Sequence, residues 1–437
     1  NYAWNSGLSM HVGAIVGMGG NITITGCVNE ADVTIAGNHT FYGGIMGMAK
    51  RDVQIVSCSN SGDINIKIGG NTIMLMAGGV LGVAFKNNAN ALIENLYNSG
   101  NLTIDSNISK KESRIGGVVG WLYSNTFAHA VNSGTVTYNS GEFYYLHMGG
   151  VIGYAASGAT ITDLHNKGAV VVKKEAKQLT SLVVGGVVGY HQDGAGLFSS
   201  ALNEGPVSVE GNMTENTATN YFRVAGVIGW TQCDMSDVTN KADINISGNL
   251  YNAHSNQHSI AIGGIVGYHT VKSGEKATNE GDITFTANVG HLAPDTDNLC
   301  RTWVGGIGGY ATVAYSDVEN SATLSLAGSH NSLYAGGLFG YISSTLTNGV
   351  NSGDVTVEPN TTMAGFLLLG GCCGKFANAV TNIENSGTVT VGEGATTGNN
   401  TYIVGGLAFS DSTNEFTIKS IVNRGAVVVN GTFGKNL

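Results

Sequence analysis

Five carboxylates recur at one place in a repeated pattern. Asp32, Asp63, Asp243, Asp282 and Asp354 each follow by three residues an asparagine that begins an Asn-x-Gly or Asn-x-Ala step. If copies of the pattern stack, Asp32 neighbours Asp63 and Asp243 neighbours Asp282. Two carboxylates about 5 Å apart could serve retaining glycoside hydrolysis or hold calcium. Their alternation with the apolar positions, however, points them outward at a turn, where carboxylates are ordinarily just solvated. His254 and His258 stand four apart and His291 follows later. A zinc-like site needs such residues to converge, for instance on one helical face. No helical period is present, so no metal and no cofactor are expected. No Ser–His–Asp or Cys–His arrangement can be assigned from spacing.

A file of aromatic residues offers binding rather than bond-breaking chemistry. Trp121, Tyr154, Tyr190, Trp230, Tyr268, Tyr310 and Tyr341 each follow the last glycine of a recurring Gly-Gly-apolar-apolar-Gly element or its close variant. Stacked, these rings form either part of the core or a platform for sugar rings. Val119, Ile152 and Val188 lie two residues earlier, on the same parity, which favours burial. The cysteines have no zinc-like spacing. Cys27 and Cys58 fall at equivalent positions and read as stacked buried thiols, because side-by-side parallel strands leave little freedom for a disulfide torsion. Cys372 and Cys373 replace the two apolar residues of the glycine element and read as core.

These residues are positioned by a repeat that spans the chain. The glycine element occurs twelve times, from Gly13 to Gly405, at a mean interval of about 36 residues. A second element, Asn-x-Gly-x-apolar-x-apolar, alternates with it, as at Asn98 to Ile104 and Asn385 to Val391. Apolar residues at +4 and +6 from each asparagine mark a strand with one buried face. A further apolar or small residue at −2 extends that inward register through the asparagine itself. The asparagines are therefore expected to stack and hydrogen-bond from coil to coil. The glycine at +2 is expected to supply the positive φ of a bend. About three short strands per repeat fit one turn of a right-handed parallel β-helix of about twelve coils, occupying residues 1–437 as a single domain and forming part of a longer chain.

Composition agrees. Glycine is abundant at 66 of 437 residues, proline is scarce at 3, and charged residues are only 11 %, against about 25 % in ordinary domains. A net charge of −10 disfavours nucleic acid, which needs clustered Lys and Arg. No apolar run reaches the ~18 residues of a membrane span.

Segments such as Gly116 to Trp121 (GGVVGW) and Val131 to Thr137 (VNSGTVT) resemble the GLUG-motif repeats of bacterial cell-surface and adhesin-like proteins, many from Bacteroidales. The resemblance covers nearly the whole chain. It implies an extracellular or cell-surface adhesin or structural stalk, with host or matrix glycan or protein as partner, and carries over no functional residue. Three consecutive coils have long segments between the two elements: Asn203 to Ala225, Asn240 to Gly263 and Asn279 to Gly305. Insertions on one face of a repeat array commonly build a binding surface. They are expected to gather Tyr221, Phe222, Arg223, Tyr251, His254 and His258 with His291, Asp295, Asp297, Arg301 and Trp303. The alternatives are a carbohydrate-active enzyme on the same scaffold, using those segments, and a filament or sheath subunit. Unpaired coil ends also point to end-to-end self-association or flanking domains.

Overall fold

The computed structural model describes residues 10–36, 41–69, 74–85, 92–107, 112–123, 126–156, 158–173, 175–192, 196–212, 221–252, 259–291, 301–397, 402–410 and 415–433. Among the described residues every regular element is a strand. One coil runs through four of them. Asp234–Asn240 ends on the repeated asparagine, and Ile244–Asn252 carries the +4 and +6 residues. Ser259–Gly263 leads into the glycine pair, and Val266–His269 leads out of it. Each strand pairs in parallel with its counterpart one coil on, as in Val238↔Ala277, Ile244↔Ile283, Ala261↔Trp303 and Tyr268↔Tyr310. The strands that lead to the asparagine stack twelve deep in chain order, from Thr23–Thr25 to Ile418–Asn423, the asparagine of the first two coils lying on the short strands Val28–Asn29 and Ser59–Asn60. The chain is a parallel β-solenoid.

The interior is not one lumen but two. Ile244 and Ile246 pack with Ile260 and Ile262 in one continuous core. Met235 and Val238 pack with Ile265 and Val266 in a second. Between them the coil is pinched, because the second glycine of each pair lies flat against the asparagine amide. A Cβ on Gly264 would stand 2.3 Å from Asn279 Cγ and 2.0 Å from Gly306 O, and a Cβ on Gly337 would stand 2.2 Å from Asn351 Cγ. This close approach accounts for glycine at that position in eleven of the twelve copies, the exception being Ala14 in the first.

The asparagines form the expected ladder and fill this waist. Asn240 Nδ2 donates to Asn279 Oδ1 at 2.8 Å and to its own coil's Ala242 O at 2.9 Å. Both amide protons are used in the same way along the chain, from Asn29 to Asn385. A buried amide that would cost free energy alone is thereby satisfied twice over, at about 1 kcal/mol net per bond.

Two expectations about turns change. The glycine at +2 does not have positive φ; a Cβ on Gly100, Gly205 or Gly387 would lie 2.0–2.1 Å from the backbone oxygen stacked beside it. Close approach, not handedness, selects it. Positive φ falls instead three residues before the asparagine, in all twelve coils. Gly26, Ser57, Asn95, His129, Asp163, Ser200, Asp237, Lys276, Asp317, Asn348, Asn382 and Ser420 lie between 49° and 63°. Asn and Asp tolerate this region better than other side chains, and they supply six of the twelve. The kink breaks the strand's period of two and swings the next residue into the second core.

The +3 carboxylates are consumed by the same stacking. Asp32 Oδ1 accepts the Asp63 N–H at 2.9 Å, Asp243 accepts that of Asp282 at 3.1 Å, and Asp354 accepts that of Thr388 at 2.7 Å. They are turn acceptors linking one coil to the next. Cys27, Cys58, Cys372 and Cys373 are free thiols belonging to or packed against the second core. Burial pushes the Cys372 thiol up to about 12 and raises that of Cys58, so neither is set up as a nucleophile.

Candidate functional site

The waist has an external consequence. Where the coil pinches inward at the glycine pair, its outer surface folds into a re-entrant corner. Outward residues of the strand before the glycines then meet outward residues of the strand after them. Two columns line this corner, running along the solenoid.

The aromatic file is the column after the glycines: Trp121↔Tyr154↔Tyr190↔Trp230↔Tyr268↔Tyr310↔Tyr341 in register. Its rings do not enter either interior core; they form separate clusters outside. Parity from Val119 fails because pairing is interrupted at Gly120: Val119 is interior, and Trp121, two residues on, is exterior. A Cβ on Gly120 would press on the backbone of Ala77 and Gly82. That close approach favours glycine there, and the last copy has the small Ala408. Trp121, Tyr154 and Tyr190 are nonetheless 6–7 % exposed, whereas Trp230, Tyr268, Tyr310 and Tyr341 are partly open to solvent.

The rings use their faces on each other. Tyr190 and Trp230 stack at 4.4 Å and 14°, and Tyr268 and Tyr310 at 4.7 Å and 5°. In such a stack the faces are occupied, so the corner offers ring edges and phenol hydroxyls rather than a flat platform. Burial raises the Tyr268 and Tyr310 hydroxyls, which keeps them protonated as hydrogen-bond donors at neutral pH.

The facing column is Arg114↔His147↔Val183↔Arg223↔Ala261↔Trp303↔Tyr334. Arg114 lies 4.0 Å from the Trp121 centroid and 3.8 Å from that of Tyr154. Arg223 repeats the arrangement three coils on, 3.8 Å from Trp230 and 3.6 Å from Tyr268. Among the described residues only Arg114 has a carboxylate: Glu112, two residues upstream on the same outer face, with Nε to Oε1 at 2.9 Å. At the equivalent register position Arg223 has Tyr221. Arg223 is 2 % exposed, and its Nε and Nη1 have no hydrogen-bond partner. Burial pulls its guanidinium down to about 10, a shift opposed by the surrounding tyrosines. It is therefore still a cation at neutral pH.

Several residues gathered on sequence grounds do meet here. Tyr221 stands 5.9 Å from the Trp230 ring, and Trp303 lies 4.5 Å from Tyr310. Arg301 is exposed on the same face, in register with Tyr221 through Ser259. Phe222 does not belong to the site. It alternates with Tyr221 and Arg223, so it faces the interior and packs in the first core. The backbones of Tyr251 and His291 lie on the neighbouring strands Ile244–Asn252 and Asn288–His291, where Tyr251 pairs with Gly290 and His291 with Asn252. His254, His258, Asp295 and Asp297 lie outside the described residues. Sequence reasoning missed the pairing of Arg114 and His147 with the aromatic file. The available signal was polar residues at the position two before the glycine pair, where most coils carry apolar ones.

Among the described residues no group of three or more His, Cys, Asp or Glu is placed to hold a metal, and no helix is long and apolar enough to cross a membrane. Comparison of the chain with family models, with curated proteins and with solved structures gave no match.

Proposed function

We propose that the chain is a non-catalytic β-solenoid of extracellular or cell-surface type that binds glycan along its outer corner, acting as an adhesin or a ligand-carrying stalk. The observation that carries this reading is the half of the aromatic file that stays open. Trp230 presents a ring edge and Tyr268, Tyr310 and Tyr341 edges and phenol groups in a continuous row, the first three in the coils that carry the long segments. A rigid row of pre-oriented donors binds a polyhydroxylated ligand with little ordering cost. The resemblance to GLUG-motif surface repeats supports the same location and role. That Asp32, Asp243 and Asp354 each accept a backbone N–H from the next coil supports a turn role for them over paired-carboxylate chemistry.

An immobilised panel of neutral and acidic glycans tests the reading. Wild-type protein is expected to bind at least one class. Tyr268→Phe combined with Tyr310→Phe, which removes two hydroxyls and keeps the rings, is expected to weaken binding about tenfold while leaving the circular dichroism spectrum unchanged, as loss of two hydrogen bonds at about 0.5–1.5 kcal/mol each implies. Failure of the wild-type protein to bind any member of the panel would overturn it.

A further inference from the structure

The two arginines of the corner differ in one respect that points to a ligand. Both guanidinium groups are sandwiched between an aromatic ring of their own coil and one of the next. Arg114 is neutralised by Glu112. Arg223 has no ion pair among the described residues, and two of its nitrogens are buried without an acceptor. Cation–π contact falls well short of what a buried charge costs when unpaired. The position that holds the carboxylate in one coil holds Tyr221 in the other, its ring 4.4 Å from the guanidinium, so no described residue supplies a counter-ion on that face.

We propose that Arg223 receives the carboxylate of an acidic saccharide lying along the corner, which reaches the guanidinium past Tyr221 and plays the part that Glu112 plays for Arg114. This rests on the glycan-binding reading and narrows it to a carboxylated ligand. The lattice of the corner favours a saccharide over an acidic peptide. Donors recur once per coil, about 4.8 Å apart, whereas an extended peptide advances about 3.3 Å per residue and falls out of step. One pyranose with its glycosidic oxygen spans a distance close to one coil. A chain with its carboxylate at Arg223 would then set successive sugars against Tyr268, Tyr310 and Tyr341, with Trp303 flanking the third coil. Arg301, exposed two coils from Tyr221 on the same face, offers a second cation in the direction of the chain.

The test is titration calorimetry on the whole chain with four probes: a galacturonic acid tetramer, the same tetramer with its carboxylates reduced to alcohols, sialyllactose and lactose. Binding of the acidic tetramer, at least tenfold tighter than its reduced form, supports the proposal. Binding of sialyllactose over lactose, without preference for the tetramer, also supports it and assigns a terminal rather than a chain carboxylate. Tyr221→Glu supplies the missing counter-ion internally. It is expected to abolish the acidic preference while leaving the melting temperature equal or higher. Arg223→Met, which keeps the packing and removes the charge, is expected to abolish the preference as well. Equal binding of acidic and neutral forms, lost in the Tyr268→Phe, Tyr310→Phe protein, would overturn this proposal and leave the glycan-binding reading standing. Unchanged acidic preference in Tyr221→Glu would also overturn it. No binding of any probe, together with an empty glycan panel, would overturn both.

Discussion

Gly264→Ala is expected to break the cooperativity of the solenoid, although it adds one methyl group. That methyl would stand 2.0 Å from the Gly306 carbonyl oxygen and 2.3 Å from Asn279 Cγ. Neither atom is the end of a flexible side chain: one is backbone of the bend between two strands, the other is locked in the amide ladder. Relief requires the coil to open at its waist, where Asn279 donates to Asn320 at 2.8 Å and accepts from Asn240 at 2.8 Å. Overpacking of an interior typically costs about 1–3 kcal/mol, and each buried group left unpaired adds about 1–3 kcal/mol. A total of about 4 kcal/mol or more follows. Because each coil contacts only its neighbours, the damage is local and divides the array. Urea unfolding followed by circular dichroism should change from one transition to two. Gly20→Ala is the matched control, since a Cβ there meets nothing closer than 3.5 Å, and should leave the profile unchanged. A single unshifted transition in Gly264→Ala would show that the waist is not as tight as described.

Acid is expected to destabilise the fold steeply through its buried imidazoles. His147, His191, His269 and His330 are all buried. Burial lowers His147 to about 3 and the other three to about 4, and the Arg114 cation beside His147 acts in the same direction. His191 and His269 each hold a backbone carbonyl through Nε2, Ala159 O at 3.1 Å and Cys233 O at 2.9 Å. These bonds oppose the shift without cancelling it. Between about pH 4 and 6.5 an unfolded imidazole is protonated and these folded ones are not. The unfolded state then binds more protons, so stability rises with pH across this window and is lost as pH falls from 6.5 toward 4. Each imidazole contributes about 1.4 kcal/mol per pH unit within the window. Urea unfolding at pH 7, 6 and 5 measures the slope, and His191→Gln should reduce it by about one imidazole's share. A slope unaffected by that substitution would place the acid sensitivity elsewhere.

Much of the fold was legible because a solenoid repeats its reasons. The −2, +4 and +6 positions, the asparagine file and the alternation of the two elements each follow from period-two burial, and all occur as read. What failed was parity carried across a break. From Val119 to Trp121 the period of two gives an interior ring; the irregularity at Gly120 sends it outside. The kink three residues before the asparagine was hidden because His129, Lys276 and Ser420 share no chemistry with Asp237 or Asn348, only a backbone angle. At the site, Tyr221, Arg223, Arg301 and Trp303 share a face as the sequence grouping has them. Phe222 could have been excluded by the same alternation, since it sits between two outward residues. The two-lobed interior was not legible at all. It comes from the glycine pair meeting an asparagine some 15 residues later in each coil, a contact that composition and periodicity do not encode.

The central claim is that function resides on the outer corner rather than on the other faces or in the long segments alone. Hydrogen–deuterium exchange in the presence and absence of the best-bound glycan from the panel tests it most directly. Ligand-dependent protection is expected within Tyr221–Thr231, Ser259–His269 and Arg301–Ala311, the strands on both sides of the glycine pair in three successive coils. Protection confined instead to the asparagine-ending strands, such as Asp234–Asn240 and Gly274–Asn279, would contradict it.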